Sequence, residues 1–591
     1  MIIQELIFPY IGDTELYFRI DNGKIENKEV FLEKNGILKT NTFFNIFSAG
    51  KWFKYTDLNN LSIHFAGTGK VKLEIFKIHN DNETEQIVYS EDLDLNENII
   101  IELPANIWQF NNGMIFFALT AYENAVIEKA NYITNTLPGN DIFIALNICT
   151  YRREEYLKNN ITKLENEILN NPQSFLYNKL EVFIADNGKT LGNSISTDKI
   201  HVFPNANTGG SGGFTRGLQE ILTVSDEKKI THTIFMDDDI KLIPQVIERT
   251  AQFLSFIKNE FADSIIPGAM LKSDSPEIQH EFGGCWTDKV VLLHSGLDTI
   301  KVKTLTQNDK ESSLINFAGW WYCCFQLEAL KKIGLPLPLF IKGDDVEFSL
   351  RLKTNLILLN GIGVWHESFE NKYHAVNIYY ESRNQLIVNS IHKIKYSLFS
   401  DFFNNIFWRL VTYRYAEIPM YLQAIRDFCK GPKWLINHNA KLLNKQLREN
   451  TSKYGNDFFI NILSLPNDFE ILNENDIKEH TYSKLKTLLT LNGYLLPANK
   501  NIVLPIGADA HEMYRVKNVI WYNYKVKKGV RCKKSFPMLF ACLIKSFYTC
   551  IIIMLKYKQS IKNTINTEII SLTEHFKALF CLYFCCINKN Q

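Results

Sequence analysis

Three consecutive carboxylates, Asp237, Asp238 and Asp239, follow the apolar run Thr231–His232–Thr233–Ile234–Phe235–Met236. The run reads as a buried strand, and in extended backbone residues i and i+2 point the same way. Asp237 and Asp239 are therefore predicted to offer two oxygens to one hard cation. Adjacent acids repel one another unless positive charge sits among them, and magnesium or manganese bridging to a diphosphate suits such a site. A solvated acidic turn would leave the same trace, so the surrounding chemistry has to decide between them.

Several further motifs carry compatible chemistry. The segment Asn207–Thr208–Gly209–Gly210–Ser211–Gly212–Gly213 reads as a glycine loop opening a helix, where backbone amides can approach phosphate oxygens. It lacks the Lys–Ser/Thr of a P-loop, and Thr215 stands where a dinucleotide motif needs its third glycine. Thr150–Tyr151–Arg152–Arg153 puts cations after one apolar run, and Asp186–Asn187–Gly188 puts an acceptor suited to a uracil imide after the next. Trp320–Trp321–Tyr322 offers aromatic faces that pack either on sugars or in a core. Asp344, Asp345 and Glu347 form a second acidic cluster, where one carboxylate could deprotonate a sugar hydroxyl or simply decorate a helix start. His366, at the end of Gly363–Val364–Trp365, is either structural or a third protein ligand to the cation.

The elements that must position these residues fall into four stretches. Residues 1–138 show short alternating runs such as Lys70–Phe76 and Ile99–Leu103 between Asn, Asp and Gly clusters, which predicts a β-sandwich. Residues 139–390 alternate strand and helix patterns, implying a parallel sheet with its active loops at the strand C-termini. Residues 391–530 read as helical. Residues 531–591 combine a basic cluster with the almost continuously apolar stretch Phe536–Leu555 and the tail Phe580–Cys586. That last stretch is expected to lie in a membrane surface as an amphipathic helix, with a membrane span or a buried or homo-oligomer-forming helix as alternatives.

Composition narrows the function classes. A chain of 591 residues with 46% hydrophobic and 22% charged residues is a folded multidomain protein. A net charge of +1 gives no basic field for nucleic acid. The 11 cysteines lack paired C-x-x-C spacing, which fits a reducing compartment better than a disulfide or zinc framework. Met1–Glu5 shows no basic-then-apolar leader pattern.

Taken in order, Asn147–Arg152, Asp186–Asn187–Gly188, Asn207–Gly213, Phe235–Ile240, Trp320–Cys323, Asp344–Asp345 and Trp365–His366 resemble the polymerising galactofuranosyltransferases. These are inverting family 2 glycosyltransferases. The resemblance is strong from about 141 to 390 and architectural elsewhere. It implies a GT-A, Rossmann-like catalytic domain after a β-sandwich and before a helical region, and UDP-galactofuranose as donor. Thr150, Arg152, Asp186, Asn207, Gly209, Gly210, Gly212, Gly213 and Asp238 would line the nucleotide. Asp237, Asp239 and His366 would hold Mn²⁺ or Mg²⁺. Asp345 would be the general base, with Asp344 helping to hold a sugar, and Trp320, Trp321 and Glu347 would face the acceptor. Tyr379–Asn384 matches a later family segment, except that Glu381 stands where the family pattern has His. The implied acceptor is a growing cell-surface or lipid-linked glycan, and the implied place is the cytoplasmic face of the membrane. Other readings are a related transferase using a UDP-hexopyranose or dTDP-deoxysugar, a non-catalytic glycan-binding scaffold, and an oxidoreductase disfavoured by the broken dinucleotide motif.

Overall fold

A computed structural model describes residues 1–566 apart from Asn82, Asn193, Ser194, Asn456, 473–483 and Gly507. The Phe580–Cys586 tail lies outside the described residues. The chain forms two compact units, one of Met1–Leu335 with Phe348–Glu367, the other of Pro336–Glu347 with the chain from Ser368 onward.

The first unit starts with nine strands, from Ile2–Gln4 to Ala125–Ile133, hydrogen-bonded as one sheet. The two separate sheets of a sandwich are thus joined. Glu29–Lys39 is long enough to pair with Ala125–Ile133 near its start and with Met114–Ala121 at its end. Alternation works as predicted: Val71, Leu73, Ile75 and Ile78 of Lys70–Ile78 are fully buried, as a half-buried strand requires.

The same unit holds a six-stranded sheet in the order Ile200–Pro204, Leu180–Asp186, Ile144–Thr150, His232–Asp237, Tyr322–Gln326, Ile266–Pro267. The first four strands run parallel, and Tyr322–Gln326 runs against them. Thr150 pairs with Asp186 and Cys149 with Asp237, so three of the motifs end at one edge of the sheet. A four-stranded sheet lies in the same unit, with Gly363–His366 parallel to Ala269–Lys272. Reciprocal backbone bonds between Lys241 and Trp365, 2.8 and 3.4 Å, tie the His366 strand to the segment just past the aspartates.

The second unit packs helices Val376–Ile391, Leu398–Val411, Glu417–Phe428 and Ala440–Ser452 around a core that includes Leu422, Ile425 and Ile418. The stretch 391–530 is helical as read through Ser452, but it also holds a sheet: Lys500–Pro505, Val516–Asn523 and Lys528–Lys533 are the centre of five strands. Apolar runs as short as Ile502–Val503–Leu504 and Val519–Ile520–Trp521 bury on both sides, so they carry no periodicity to separate strand from helix.

The helix Phe536–Asn566 closes the described chain. Its segment Phe536–Ile565 holds an 18-residue window with a mean hydropathy of 2.2 and is long and apolar enough to cross a membrane by length and composition. Leu539, Cys542, Ser546, Thr549 and Ile553 are buried, while Phe540, Ile544, Phe547 and Leu555 are at least 60% exposed, so a second, unburied apolar face remains.

Candidate functional site

The strand His232–Asp237 is driven into the core by Ile234, Phe235 and Met236, and it delivers the aspartates to its C-terminal end. Gly363–His366 delivers His366 from the neighbouring sheet. The ligand atoms of Asp237, Asp239 and His366 all lie within 4.8 Å of one another. His366 Nε2 is 3.1 Å from Asp239 Oδ1 and 3.7 Å from Asp237 Oδ2. Its Nδ1 lies 2.7 Å from the Glu367 carbonyl. A carbonyl only accepts, so Nδ1 carries a proton and Nε2 is the ring nitrogen that faces the two carboxylates. Two carboxylates and one imidazole nitrogen grouped this closely could hold a divalent cation such as Mn²⁺ or Mg²⁺.

Asp238 turns elsewhere. It accepts from Thr150 Oγ1 at 2.7 Å, from the Tyr151 amide at 3.3 Å and from Arg153 Nη1 at 3.0 Å. Burial raises its carboxyl above the ordinary range, against the pull of Arg153. Thr150 and Asp238, both expected beside the nucleotide, thus lock two strand ends together. Arg153 also reaches Asp239 Oδ2 at 2.8 Å and supplies the positive charge the acidic run requires. The cation singled out from sequence was Arg152, which sits at φ 57°, exposed, over the Tyr151 ring. Because Arg152 and Arg153 are adjacent, sequence could not tell which turned inward; the left-handed residue at 152 decides it.

The glycine segment is helix rather than loop. Gly209 has φ 76° and starts Gly209–Val224. Helical Gly212, Gly213 and Gly217 lie against their neighbours: a Cβ at Gly213 would stand 2.1 Å from Cys149 Sγ, one at Gly217 1.9 Å from Asn147 Oδ1, and one at Gly212 2.0 Å from Thr208 Oγ1. Close helix-to-strand packing is therefore one demand these glycines meet, beside any approach to phosphate. Asn207 Oδ1 accepts from the Gly209 amide at 3.1 Å and caps the turn before Gly210.

Asp186 is buried, and its oxygens accept from the amides of Gly188, Thr190 and Leu191 at 2.9, 2.7 and 2.9 Å. It organises its own turn. The tryptophans are also inward. Trp320 meets Phe214, Phe235 and Phe348 edge-on at 5.2, 5.0 and 5.6 Å, and Trp321 Nε1 donates to Gly268 O at 2.9 Å. Both are about 5% exposed, packed into the core where the sequence suggests side chains facing an acceptor. The structural alternative was present in the sequence but could not be chosen there, since a Trp pair serves either purpose.

In the second unit, Asp344, Asp345 and Glu347 occupy the first turn of the helix that starts at Asp344. Asp345 Oδ1 accepts from the Val346 amide at 2.8 Å. Burial raises the Asp345 carboxyl above its ordinary value, with Lys342 opposing. Glu347 is 1% exposed and faces His392 at 3.5 Å, which points to a structural pair where an acceptor contact was expected.

A family model described as "Galactofuranosyltransferase 2 N-terminal" matches residues 21–135. The chain is 24% identical over 427 residues to galactofuranosyltransferase GlfT2 of Mycolicibacterium smegmatis, covering 67% of this chain and 64% of that protein. To GlfT2 of Mycobacterium tuberculosis it is 26% identical over 438 residues, covering 67% and 66%. The match thus spans just under two thirds of the length of these relatives. Among solved structures, a Pyrobaculum calidifontis mannosyltransferase (PcManGT, in complex with GDP-Man and Mn2+) aligns with 54% of this chain and 87% of its own, at 10% identity and a TM-score of 0.27.

Proposed function

We propose that this chain, a relative of the GlfT2 galactofuranosyltransferases over two thirds of its length, is a metal-dependent inverting glycosyltransferase. Its donor is UDP-galactofuranose, and its acceptor a growing cell-surface or lipid-linked glycan. The observation that carries the reading is the convergence of Asp237, Asp239 and His366 from two different strands, with Nε2 aimed at both carboxylates. The parallel sheet that presents the motifs at its C-terminal edge supports a GT-A catalytic domain.

Asp237, Asp239 and His366 would hold Mn²⁺ or Mg²⁺, which when bound neutralises charge on a diphosphate leaving group. Asn207 and the amides at the start of Gly209–Val224, helped by the N-terminal end of that helix, bind the nucleotide phosphates. Arg152, exposed beside Tyr151, reaches the uridine, and the Asp186 turn shapes the base pocket. Asp345 takes the proton of the attacking hydroxyl as the new bond forms, and Asp344 steadies a sugar. A diphosphate leaves without needing a proton, so a single base suffices and the anomeric centre inverts. The burial that raises the Asp345 carboxyl makes it a stronger base than a solvated aspartate. The unburied apolar face of Phe536–Asn566 would rest on the cytoplasmic membrane surface, beside the lysines of Lys525–Lys534.

The test is UDP release from a panel of nucleotide sugars with glycan acceptors, in Mn²⁺ or in EDTA. Metal-dependent turnover confined to UDP-galactofuranose is expected. Turnover of a UDP-hexopyranose or dTDP-deoxysugar instead would overturn the donor, and failure to bind UDP at all would overturn the enzymatic reading.

A further inference from the structure

The segment Leu339–Gly343, which leads into Asp344 and Asp345, has an improbable backbone. Phe340, Lys342 and Gly343 take φ values of 75°, 68° and 77°. A residue that carries a side chain is strained in the left-handed region. Two of them in three positions persist only where the surroundings impose them.

Two adjacent residues of the helix Val376–Ile391 do the imposing. Asn384 Nδ2 lies 3.1, 2.9 and 2.7 Å from the carbonyl oxygens of Leu339, Ile341 and Lys342. Arg383 Nη2 donates to the Leu339 carbonyl at 2.7 Å, and its Nε donates to Asn384 Oδ1 at 3.0 Å, orienting the amide. Both residues are at most 1% exposed. Arg383 is anchored in turn: Nη1 donates to Tyr379 Oη at 3.3 Å, and that hydroxyl donates to Asp427 Oδ2 at 2.9 Å. Phe340 stacks on Tyr380 at 4.9 Å and 17°. A Cβ at Gly343 would stand 3.6 Å from Asn384 Cβ, so the turn lies directly on the clamp.

We infer that Arg383 and Asn384 are positioning residues, a buried clamp that holds the left-handed turn 339–343 and thereby sets where the Asp345 carboxylate stands. This rests on the reading of Asp345 as the base. The buried Arg383 guanidinium is fully engaged by the Leu339 carbonyl, the Asn384 amide oxygen and the Tyr379 hydroxyl. With Asn384 removed, three carbonyls lose their shared donor, the strained residues relax toward negative φ, and the first turn of the following helix shifts. Misplacement of about 1 Å costs up to about 100-fold in rate.

The experiment compares Asn384→Ala, Asn384→Gln and Arg383→Lys in the full chain, with Asp345→Asn alongside, by steady-state UDP release, kcat–pH profiles and calorimetric binding of UDP with Mn²⁺. For Asn384→Ala, kcat is expected to fall roughly 10- to 100-fold. KM for the donor and UDP affinity should stay within about twofold, and the acid limb of kcat should move to lower pH as water reaches the loosened carboxylate. Asn384→Gln, which keeps an amide donor, should recover part of kcat. Wild-type kcat and pH profile in Asn384→Ala would overturn the clamp, as would a loss matched by equal losses in UDP binding. If Asp345→Asn itself turns over normally, the base assignment fails instead, and the two failures are thereby told apart.

Discussion

Substituting Gly213 tests whether the glycine segment serves packing. The Cβ of Gly213→Ala would lie 2.1 Å from Cys149 Sγ, 2.9 Å from Cys149 Cβ and 3.2 Å from Asn187 Nδ2. Ordinary contact begins near 3.4 Å, so the helix Gly209–Val224 must back away from the strand Ile144–Thr150 by about 1.3 Å, the difference between 3.4 and 2.1. Overpacking of this kind costs about 1–3 kcal/mol. The same movement carries the amides of Gly209 and Gly210 away from the sheet edge, so UDP affinity should fall by about tenfold, equivalent to about 1.4 kcal/mol. Cys149→Ala alone should cost little, because it removes only the sulfur. The double variant Gly213→Ala/Cys149→Ala leaves the milder 2.9 and 3.2 Å overlaps with Cβ of residue 149 and Asn187 Nδ2 and should recover at least half of both losses, a coupling that distant sites would not show. The assays are thermal unfolding of the first transition and calorimetric UDP binding with Mn²⁺. Gly213→Ala with unchanged unfolding would refute the packing argument. Lost UDP binding that Cys149→Ala fails to restore would show that the glycine serves the ligand directly.

Other expectations follow from the same geometry. His366→Ala should abolish metal-dependent turnover and the thermal protection by Mn²⁺ expected of the wild type, while circular dichroism stays unchanged; protection equal in both would remove His366 from the ligand set. Lys342 is the cation that opposes the burial-driven rise of Asp345. A base works only above its pKa, so Lys342→Met should move the acid limb of kcat to higher pH, and an unmoved limb would separate Asp345 from the rate. Trp320→Ala should destabilise by about 3–5 kcal/mol, the usual cost of emptying a buried aromatic site, whereas Trp320→Phe should keep donor and acceptor KM near wild type. A selective rise in acceptor KM with no loss of stability would return Trp320 to the binding surface.

Alone, the sequence determined what local pattern can encode. The run Ile234–Phe235–Met236 ahead of three aspartates made a strand end with paired oxygens legible, because side-chain direction in a strand follows from spacing of two. The strand–helix alternation over 139–390 likewise announced a parallel sheet with its chemistry at one edge. Tertiary structure decided the matters that depend on a partner distant in the chain. Whether Arg152 or Arg153 met the aspartates was settled by one left-handed residue. The packing of Gly213 on Cys149 came from the docking of a helix, and that of Trp320 on Phe235 from the closing of a core. The strands around Ile502 and Ile520 escaped notice because a short run buried on all sides has no period. His366 was a plausible ligand by order in the chain, but only a second sheet placed its Nε2 opposite Asp239. Distance in sequence carries no geometry until the backbone hydrogen bonds between Lys241 and Trp365 impose one.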